Sequence, residues 1–106
     1  MRDRVARARE IQTHRYKGLV GIDCNARLPD GLFSRFCSMD ASAETLFVKA
    51  QKSLLVSARA RGHIVRVART IADLGGSERV TERHIMEAVG YRAREHEESA
   101  GTPSRG

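Results

Sequence analysis

Apolar side chains recur at helical spacing along residues 57–74, where nearly every third or fourth position is Ala, Ile, Val or Leu. A period near 3.6 residues predicts an amphipathic helix, and Gly75 and Gly76 predict where it ends. Residues of high strand propensity never gather in alternating runs, whereas Ala, Arg, Glu and Leu are common. The sequence therefore predicts an all-α fold.

Four further segments carry helix signals. Asp40 and Ser57 are well placed to cap the helices that follow them, and Thr81 is placed to cap the last helix. Val80 and Ile85 flank that last cap with the spacing of a hydrophobic staple. The expected architecture is a small bundle of four main helices and one short helix, over residues 2–17, 28–36, 41–55, 57–74 and 81–92.

The first of these helices, over residues 2–17, is strongly charged. Val5, Ala8 and Ile11 give it only a thin apolar stripe, with Ala6 and Tyr16 beside the stripe. We expect this helix to pack against the rest of the bundle on one side, through that stripe.

Length and composition fit a single small domain. The chain has 106 residues, of which 41% are hydrophobic and 30% charged, as is typical of a globular protein. The last residues, EHEESAGTPSRG, are polar and contain small helix breakers. We expect a folded domain over residues 1–92 and a disordered tail over residues 93–106.

The spacing of cysteines and histidines does not favour disulfides or metal binding. Cys24 and Cys37 lie 13 residues apart without a C-x-x-C motif, which favours free, buried thiols in a reduced cytoplasmic compartment. No apolar run is long enough to cross a membrane. No zinc-ligand spacing supports a metal site at any histidine, namely His14, His63, His84 and His96.

The chain is strongly basic, with a formal net charge of +6, and 16 of its 19 basic residues are arginine. Guanidinium groups are good bidentate partners for phosphate and carboxylate, so the excess is consistent with nucleic acid, nucleotide or an acidic protein surface as a partner. A bias in genome composition produces the same excess without any function.

Three interpretations of the arginines in residues 57–74 follow from the residues alone. In the first, they belong to a solvated polar face on which Arg69 and Asp73 pair across one turn. In the second, this helix and the next form a free-standing basic module that binds nucleic acid. In the third, Arg59 reaches a nucleotide phosphate supplied by another domain, because the first turn of a helix favours anions. The arginines of this solvated face are Arg59, Arg61, Arg66 and Arg69, and the side opposite the apolar stripe carries Arg59, His63, Arg66, Thr70 and Asp73.

The stretch SARARGHIVRVARTIADLGGSERVTERHIMEAVGYR resembles the C-terminal domain of the magnesium-chelatase-like AAA+ ATPases. The run RVARTIADL is the most specific part of the match. The first helix, with RVARAREIQ, and the later CNARL are similar to that family's R-V-x-x-A-R-x-x-Q…N-A-x-L segment. The resemblance covers residues 2–92.

This resemblance implies the helical lid of an AAA+ ATPase, packed on an ATPase core in a hexameric ring that binds ATP and Mg²⁺. It places Arg59 at the sensor-2 position, which contacts the γ-phosphate, with Arg61 as the alternative. Arg66 and His63 are further candidates for nucleotide binding on the same helix. The implied partners are the ATPase core, neighbouring subunits and, for the group linked to branch migration in natural transformation, DNA.

The sequence differs from the family pattern at Gly62, and it lacks the motifs of a complete ATPase. Gly62 lies early in the helix over 57–74, where it lowers helix stability by about 1 kcal/mol relative to Ala, so it either admits a close neighbour or is tolerated drift. The sequence has no G-x-x-x-x-G-K-[ST] motif and no βαβ pattern. We therefore expect this chain to bind no cofactor and catalyse nothing alone.

Overall fold

The computed structural model describes residues 2–54 and 57–101, with side chains described for residues 3–53 and 57–91. The described ranges contain four main helices and one short helix, which confirms the predicted all-α bundle. Two 3₁₀ turns, Asn25–Arg27 and Asp30–Leu32, lie between the first and second helices. The helices are α1 Arg2–Arg15, α2 Phe33–Phe36, α3 Ala41–Leu54, α4 Ala58–Leu74 and α5 Glu82–Gly101.

The predicted caps fix the helix ends. The Ala43 N–H donates to Asp40 Oδ1 over 2.8 Å at the start of α3, and the Ala60 N–H donates to Ser57 Oγ over 3.2 Å at the start of α4. Gly76 has a φ of +73°, a conformation that favours glycine, and it turns the chain away after α4. These three predictions are confirmed.

The start of α5 combines a staple with a histidine cap. Val80 and Ile85 are both fully buried on either side of Thr81, which confirms the predicted staple. The Thr81 N–H donates to His84 Nδ1 over 2.9 Å, so the imidazole takes the place that Glu or Gln holds in a capping box. This cap anchors α5 beside α3 and α4.

The assigned end of α5 lies at Gly101, beyond the end predicted at Arg92. That predicted helix end is therefore too early. The domain limit at residue 92 and the disorder of the tail stay predictions, and residues 102–106 lie outside the part of the chain that the structure describes.

Helix α4 lies between two groups of core residues. Ile64 belongs to a cluster shared with α3 and α5, while Val65 belongs to a cluster shared with the end of α1 and the segment around α2. Because helix α4 is covered on two sides, its buried arc is wider than one apolar stripe. Val65 is therefore buried, although the stripe at helical spacing comprises Ala60, Ile64, Val67, Ala68, Ile71 and Leu74. Phe33 and Phe36 of the short helix pack against the second cluster.

Helix α1 does pack on one side only, but of the predicted stripe only Ala8 faces inward. Ala8 and Tyr16 are buried together with the polar Gln12, whereas Val5 and Ile11 remain 38% and 37% exposed. The buried face is polar because it meets a polar network on α4 and the first 3₁₀ turn, described below. The prediction of Val5 and Ile11 as inward residues is wrong for that reason.

Candidate functional site

A buried ion-pair network holds α1 against the last turns of α4. The Asp73 carboxylate is 2% exposed and accepts two hydrogen bonds from the Arg15 guanidinium, over 2.7 and 2.9 Å. It also lies 3.0 Å from Arg69 Nη2 and accepts from Asn25 Nδ2 over 2.9 Å. One carboxylate is therefore shared by two guanidinium groups and an amide.

Asn25 links this network to both α1 and α4 through its side-chain amide and its backbone N–H. Its Nδ2 donates also to Thr70 Oγ1 over 3.0 Å, and its backbone N–H donates to Gln12 Oε1 over 2.9 Å. Its Oδ1 accepts hydrogen bonds from Tyr16 and Arg15. With 1% of its surface exposed, Asn25 is a structural residue that joins α1, the first 3₁₀ turn and α4.

The network changes the acidity of its members. Burial alone would raise the pKa of the Asp73 carboxyl, but hydrogen bonds from Arg15 and Asn25 and the nearby positive charges hold it below its ordinary value. The hydrogen bond to Asp73 raises the pKa of Arg15 in turn. Asp73 is therefore an ionised structural anchor at neutral pH.

The solvated-face interpretation is wrong for Arg69 and Asp73. The two do pair across one turn of α4, as predicted, but Arg69 is only 1% exposed. Its guanidinium donates to the Ser77 and Glu78 carbonyl oxygens over 2.7 and 2.8 Å, and thereby holds the connection between α4 and α5. Arg69 therefore serves the fold and is not accessible to a ligand.

Arg59 has the opposite environment. It lies exposed in the first turn of α4, and it makes no hydrogen bond or ion pair with any other residue that the structure describes. Its exposed neighbour Arg61 donates to Gln51 on α3 over 3.3 Å. Of these two arginines, only Arg59 is left without a partner in the described ranges.

Arg66 is held in place at both edges of its guanidinium. Its Nε donates to the carbonyl oxygen of the fully buried Leu28 over 2.8 Å, and its Nη2 pairs with Asp30 over 2.6 Å. The guanidinium also lies over the Phe33 ring, 5.2 Å from the centroid. These contacts fasten the segment before α2 onto α4.

His63 and Arg66 border a shallow groove on the outer face of α4. His63 is exposed, and the groove of about 410 Å³ continues along the helix towards α5. Its other lining residues are Ala26, Val67, Thr70, Ile71, Leu74 and Tyr91. Arg59 does not line this groove, but it lies one turn before His63 and on the same side of α4, since residues four apart share a helix face.

Gly62 admits a close neighbour, which settles the alternative left open by the sequence. A Cβ atom at this position would lie 2.8 Å from Asp30 Oδ1 and 3.0 Å from Arg66 Nη1. The glycine therefore lets the Asp30–Arg66 pair rest directly on the helix backbone.

The remaining sequence predictions about special chemistry concern thiols, metals and membranes. Cys37 is buried and Cys24 half-buried, both as free thiols, and burial raises the pKa of Cys37 to about 11. Among the side chains described, those of residues 3–53 and 57–91, no three of His, Cys, Asp or Glu are grouped to hold a metal ion. None of the described helices combines the length and hydropathy needed to cross a membrane.

Comparison with known proteins identifies similar sequences. The sequence model of the family described as magnesium chelatase, subunit ChlI C-terminal, matches residues 1–92. The competence protein ComM of Haemophilus influenzae is 38% identical over 93 residues, which cover 88% of this chain and 17% of that protein. The uncharacterized protein YifB of Escherichia coli K12 is 36% identical over the same lengths. No solved structure matches the chain significantly.

The chain thus spans 17% of the length of these relatives. The stretches that carried the sequence resemblance are also the ones that build the buried network, since Gln12, Asn25, Arg69 and Asp73 all lie in them. This role of Gln12 and Asn25 was not predicted, although both residues occupy specified positions of the family segment R-V-x-x-A-R-x-x-Q…N-A-x-L. The matching residues named here therefore support the fold. The exposed Arg59 lies outside this buried network.

Proposed function

The chain belongs to the family of magnesium chelatase ChlI C-terminal domains, and from that premise we propose that it is the helical lid of an AAA+ ATPase. In this proposal Arg59 is the sensor-2 arginine, which contacts the γ-phosphate of ATP. The ATPase core and the neighbouring subunits of a hexameric ring are its partners, and the complete protein binds ATP and Mg²⁺.

The observation that carries the proposal is the free guanidinium of Arg59. Arg15 and Arg69 are committed to Asp73, and Arg66 is fixed by Leu28 and Asp30. Among the arginines of α4, only Arg59 is exposed, lies in the first turn and has no partner among the residues that the structure describes. An exposed arginine at the positive end of a helix is suited to an anion.

A guanidinium at this position would stabilise the charge that develops on the transferring phosphoryl group. The rigid attachment of α4 to α1 and α5 would transmit that contact to the whole lid. Because the sequence has no P-loop, the ATPase core must supply the nucleotide and its metal. The domain then contributes to hydrolysis without catalysing it alone.

The test is a domain exchange in a relative that has an ATPase core. The matching C-terminal region of the Haemophilus influenzae protein ComM is replaced by this chain, and ATP hydrolysis is measured with and without Arg59→Gln. We expect the substitution to lower the hydrolysis rate by about a hundredfold, the usual effect of losing one donor to a developing anion. Arg83→Gln, an exposed arginine on α5, is the matched control.

Equal rates for the Arg59 and Arg83 variants would remove Arg59 from the sensor-2 position. An exchange protein that hydrolyses ATP normally with Arg61→Gln but not with Arg59→Gln would also decide between the two neighbouring arginines.

A free-standing basic module that binds DNA is the second candidate. Arg4, Arg7 and Arg9 on α1 are exposed and form no ion pair with another described residue, which favours this reading. A module formed by α4 and α5 receives less support, because Glu82 and Glu87 are exposed beside Arg83 on the first turns of α5. If the chain binds DNA by itself, α1 is the expected surface.

A further inference from the structure

The Asp30 carboxylate lies against the helix α4 at Gly62, beside the guanidinium of Arg66. It lies so close to the backbone of Gly62 that a Cβ atom there would be only 2.8 Å from Asp30 Oδ1. It also pairs with Arg66 Nη2 over 2.6 Å. Asp30 is contributed by a short exposed 3₁₀ turn after Pro29, and its side chain is 55% exposed. The carboxylate is therefore in contact with α4 but is not enclosed by the fold.

The Arg66 guanidinium lies close to the turn that carries Arg59, although seven residues separate them. Its Nη1 approaches Gly62, one turn before Arg66 itself, because long side chains on helices lean towards the N-terminus. Gly62 is three residues after Arg59, a rise of about 4.5 Å along the helix. The exposed Arg59 side chain has no partner among the described residues, so it is free to extend towards a polyphosphate that contacts Arg66 over Gly62.

The two edges of the Arg66 guanidinium are held in different ways. The Nε edge donates to the carbonyl oxygen of Leu28, a fully buried residue, and the ring of Phe33 supports one face. Among the residues that the structure describes, the Nη edge is held only by the half-exposed Asp30. Removal of the carboxylate would leave the guanidinium in position with its Nη groups directed at the same place.

From this geometry we infer that Asp30 is a built-in competitor for the anion that binds at α4. The carboxylate occupies the Arg66 side of the site in the free domain, and a phosphate group displaces it. This inference rests on the proposed function, because it concerns the site to which Arg59 belongs. Gly62 is required for the competition, since any larger residue would hold the carboxylate away from the helix.

The competition has a defined consequence for binding. Every anion that uses Arg66 must first break the Asp30–Arg66 pair, which weakens its apparent affinity. Because this pair is partly exposed, its removal should strengthen anion binding by about two- to fivefold, and not by orders of magnitude. Asp30 therefore tunes the site so that a singly charged anion competes poorly, whereas a polyphosphate that also reaches Arg59 can displace it.

The experiment is a titration of the whole chain with inorganic tripolyphosphate at low salt, followed by backbone amide shifts of α4. Asp30→Asn keeps the shape of the side chain and removes its charge. We expect it to bind tripolyphosphate about two- to fivefold more tightly than the wild type, after correction for the control variant. The double variant Asp30→Asn with Arg66→Gln should lose this gain, because the effect acts through Arg66.

The control is Asp23→Asn, which makes the same change of net charge in the same inter-helix segment. Asp23 is 80% exposed and pairs only loosely with Arg27, over 3.5 Å. Equal effects of Asp30→Asn and Asp23→Asn would show general electrostatics and overturn the inference. So would weaker binding, unchanged binding or no detectable binding by Asp30→Asn.

Arg59→Gln separates this inference from the proposed function. If Asp30→Asn strengthens binding and Arg59→Gln has no effect, Asp30 competes at Arg66 but Arg59 is not part of the site. If Arg59→Gln weakens binding and Asp30→Asn has no effect, the proposed role of Arg59 stands and the competition is refuted.

Discussion

Single arginines on one helix have three different roles in this domain. Arg69 is buried and holds the connection to α5, Arg66 anchors the segment before α2, and Arg59 is exposed without a described partner. The three roles differ because the side chains differ in their burial and in the groups they contact. A guanidinium next to a buried carboxylate becomes structural, because leaving either charge unpaired in the interior is strongly unfavourable.

Asp73 is the residue whose loss should damage the fold most. Asp73→Asn leaves Arg15 and Arg69 beside a neutral amide, and we expect it to lower the free energy of unfolding by about 3–5 kcal/mol. Urea denaturation at neutral pH measures this, with Asp23→Asn as an exposed control that should change stability by less than about 1 kcal/mol. A loss below about 1 kcal/mol for Asp73→Asn would contradict the structural role of the network.

The pKa of Asp73 predicts a matching dependence on pH. Its folded pKa is lowered, so its contribution to stability is fully present above the ordinary value of 3.8 and is lost as the pH falls through the folded pKa. In urea denaturation at a series of acidic pH values, Asp73→Asn should therefore lack the part of the loss in unfolding free energy that comes from protonation of Asp73.

Helix ends are controlled by local chemistry at the scale of the element. Ser57 and Asp40 cap their helices, and the Ser77 N–H donates to the Ala72 carbonyl oxygen over 2.8 Å where α4 ends. The cap of α5 differs, because His84 accepts the Thr81 N–H through Nδ1. Only a neutral imidazole can accept this hydrogen bond, so the α5 cap depends on pH.

Acidification should therefore weaken the start of α5. Burial lowers the pKa of His84 below its ordinary 6.5, and the Arg69 and Arg83 charges act in the same direction against Glu87 and Asp40. A lowered folded pKa means that the stabilising contribution is present above pH 6.5 and lost as the pH falls through the folded pKa. The expected loss is about 1 kcal/mol, the usual value of a helix cap.

The measurement compares the wild type with His84→Gln by urea denaturation across the mildly acidic range. Glutamine keeps an acceptor at the same capping position but does not titrate, so the difference between the two proteins isolates His84 from the other histidines. Parallel stability profiles for the two proteins would show that the cap does not respond to protonation.

At the scale of the whole molecule, the excess positive charge is concentrated near the N-terminus. The chain carries a net charge of +6, and its first 17 residues contribute five arginines and one lysine against two acidic residues. Arg15 is neutralised by Asp73, whereas Arg4 and Arg7 lie exposed near the turn that follows α4. A surface of this kind attracts polyanions through release of their counterions.

Duplex DNA binding by the whole chain would confirm the second candidate function. Arg4→Gln with Arg7→Gln should then lower the slope of log affinity against log salt by about 2, since each lost phosphate contact contributes about 0.9. Lys49→Gln with Lys52→Gln removes the same charge from α3 and should have a smaller effect. Similar slopes for both double variants would indicate attraction by net charge alone, and absence of binding would exclude the module.

The amino-acid sequence by itself determined the order of the helices, the caps at Asp40 and Ser57, the staple around Thr81 and the family, because these depend on residues only a few positions apart or on short motifs. It also predicted that Arg69 and Asp73 pair. The tertiary structure decided which polar residues are buried: Asp73 meets Arg15, 58 residues away, and Asn25, 48 residues away. Burial and pairing of this kind depend on surfaces that meet only after folding, so the periodicity of one helix cannot separate Arg59 from Arg69.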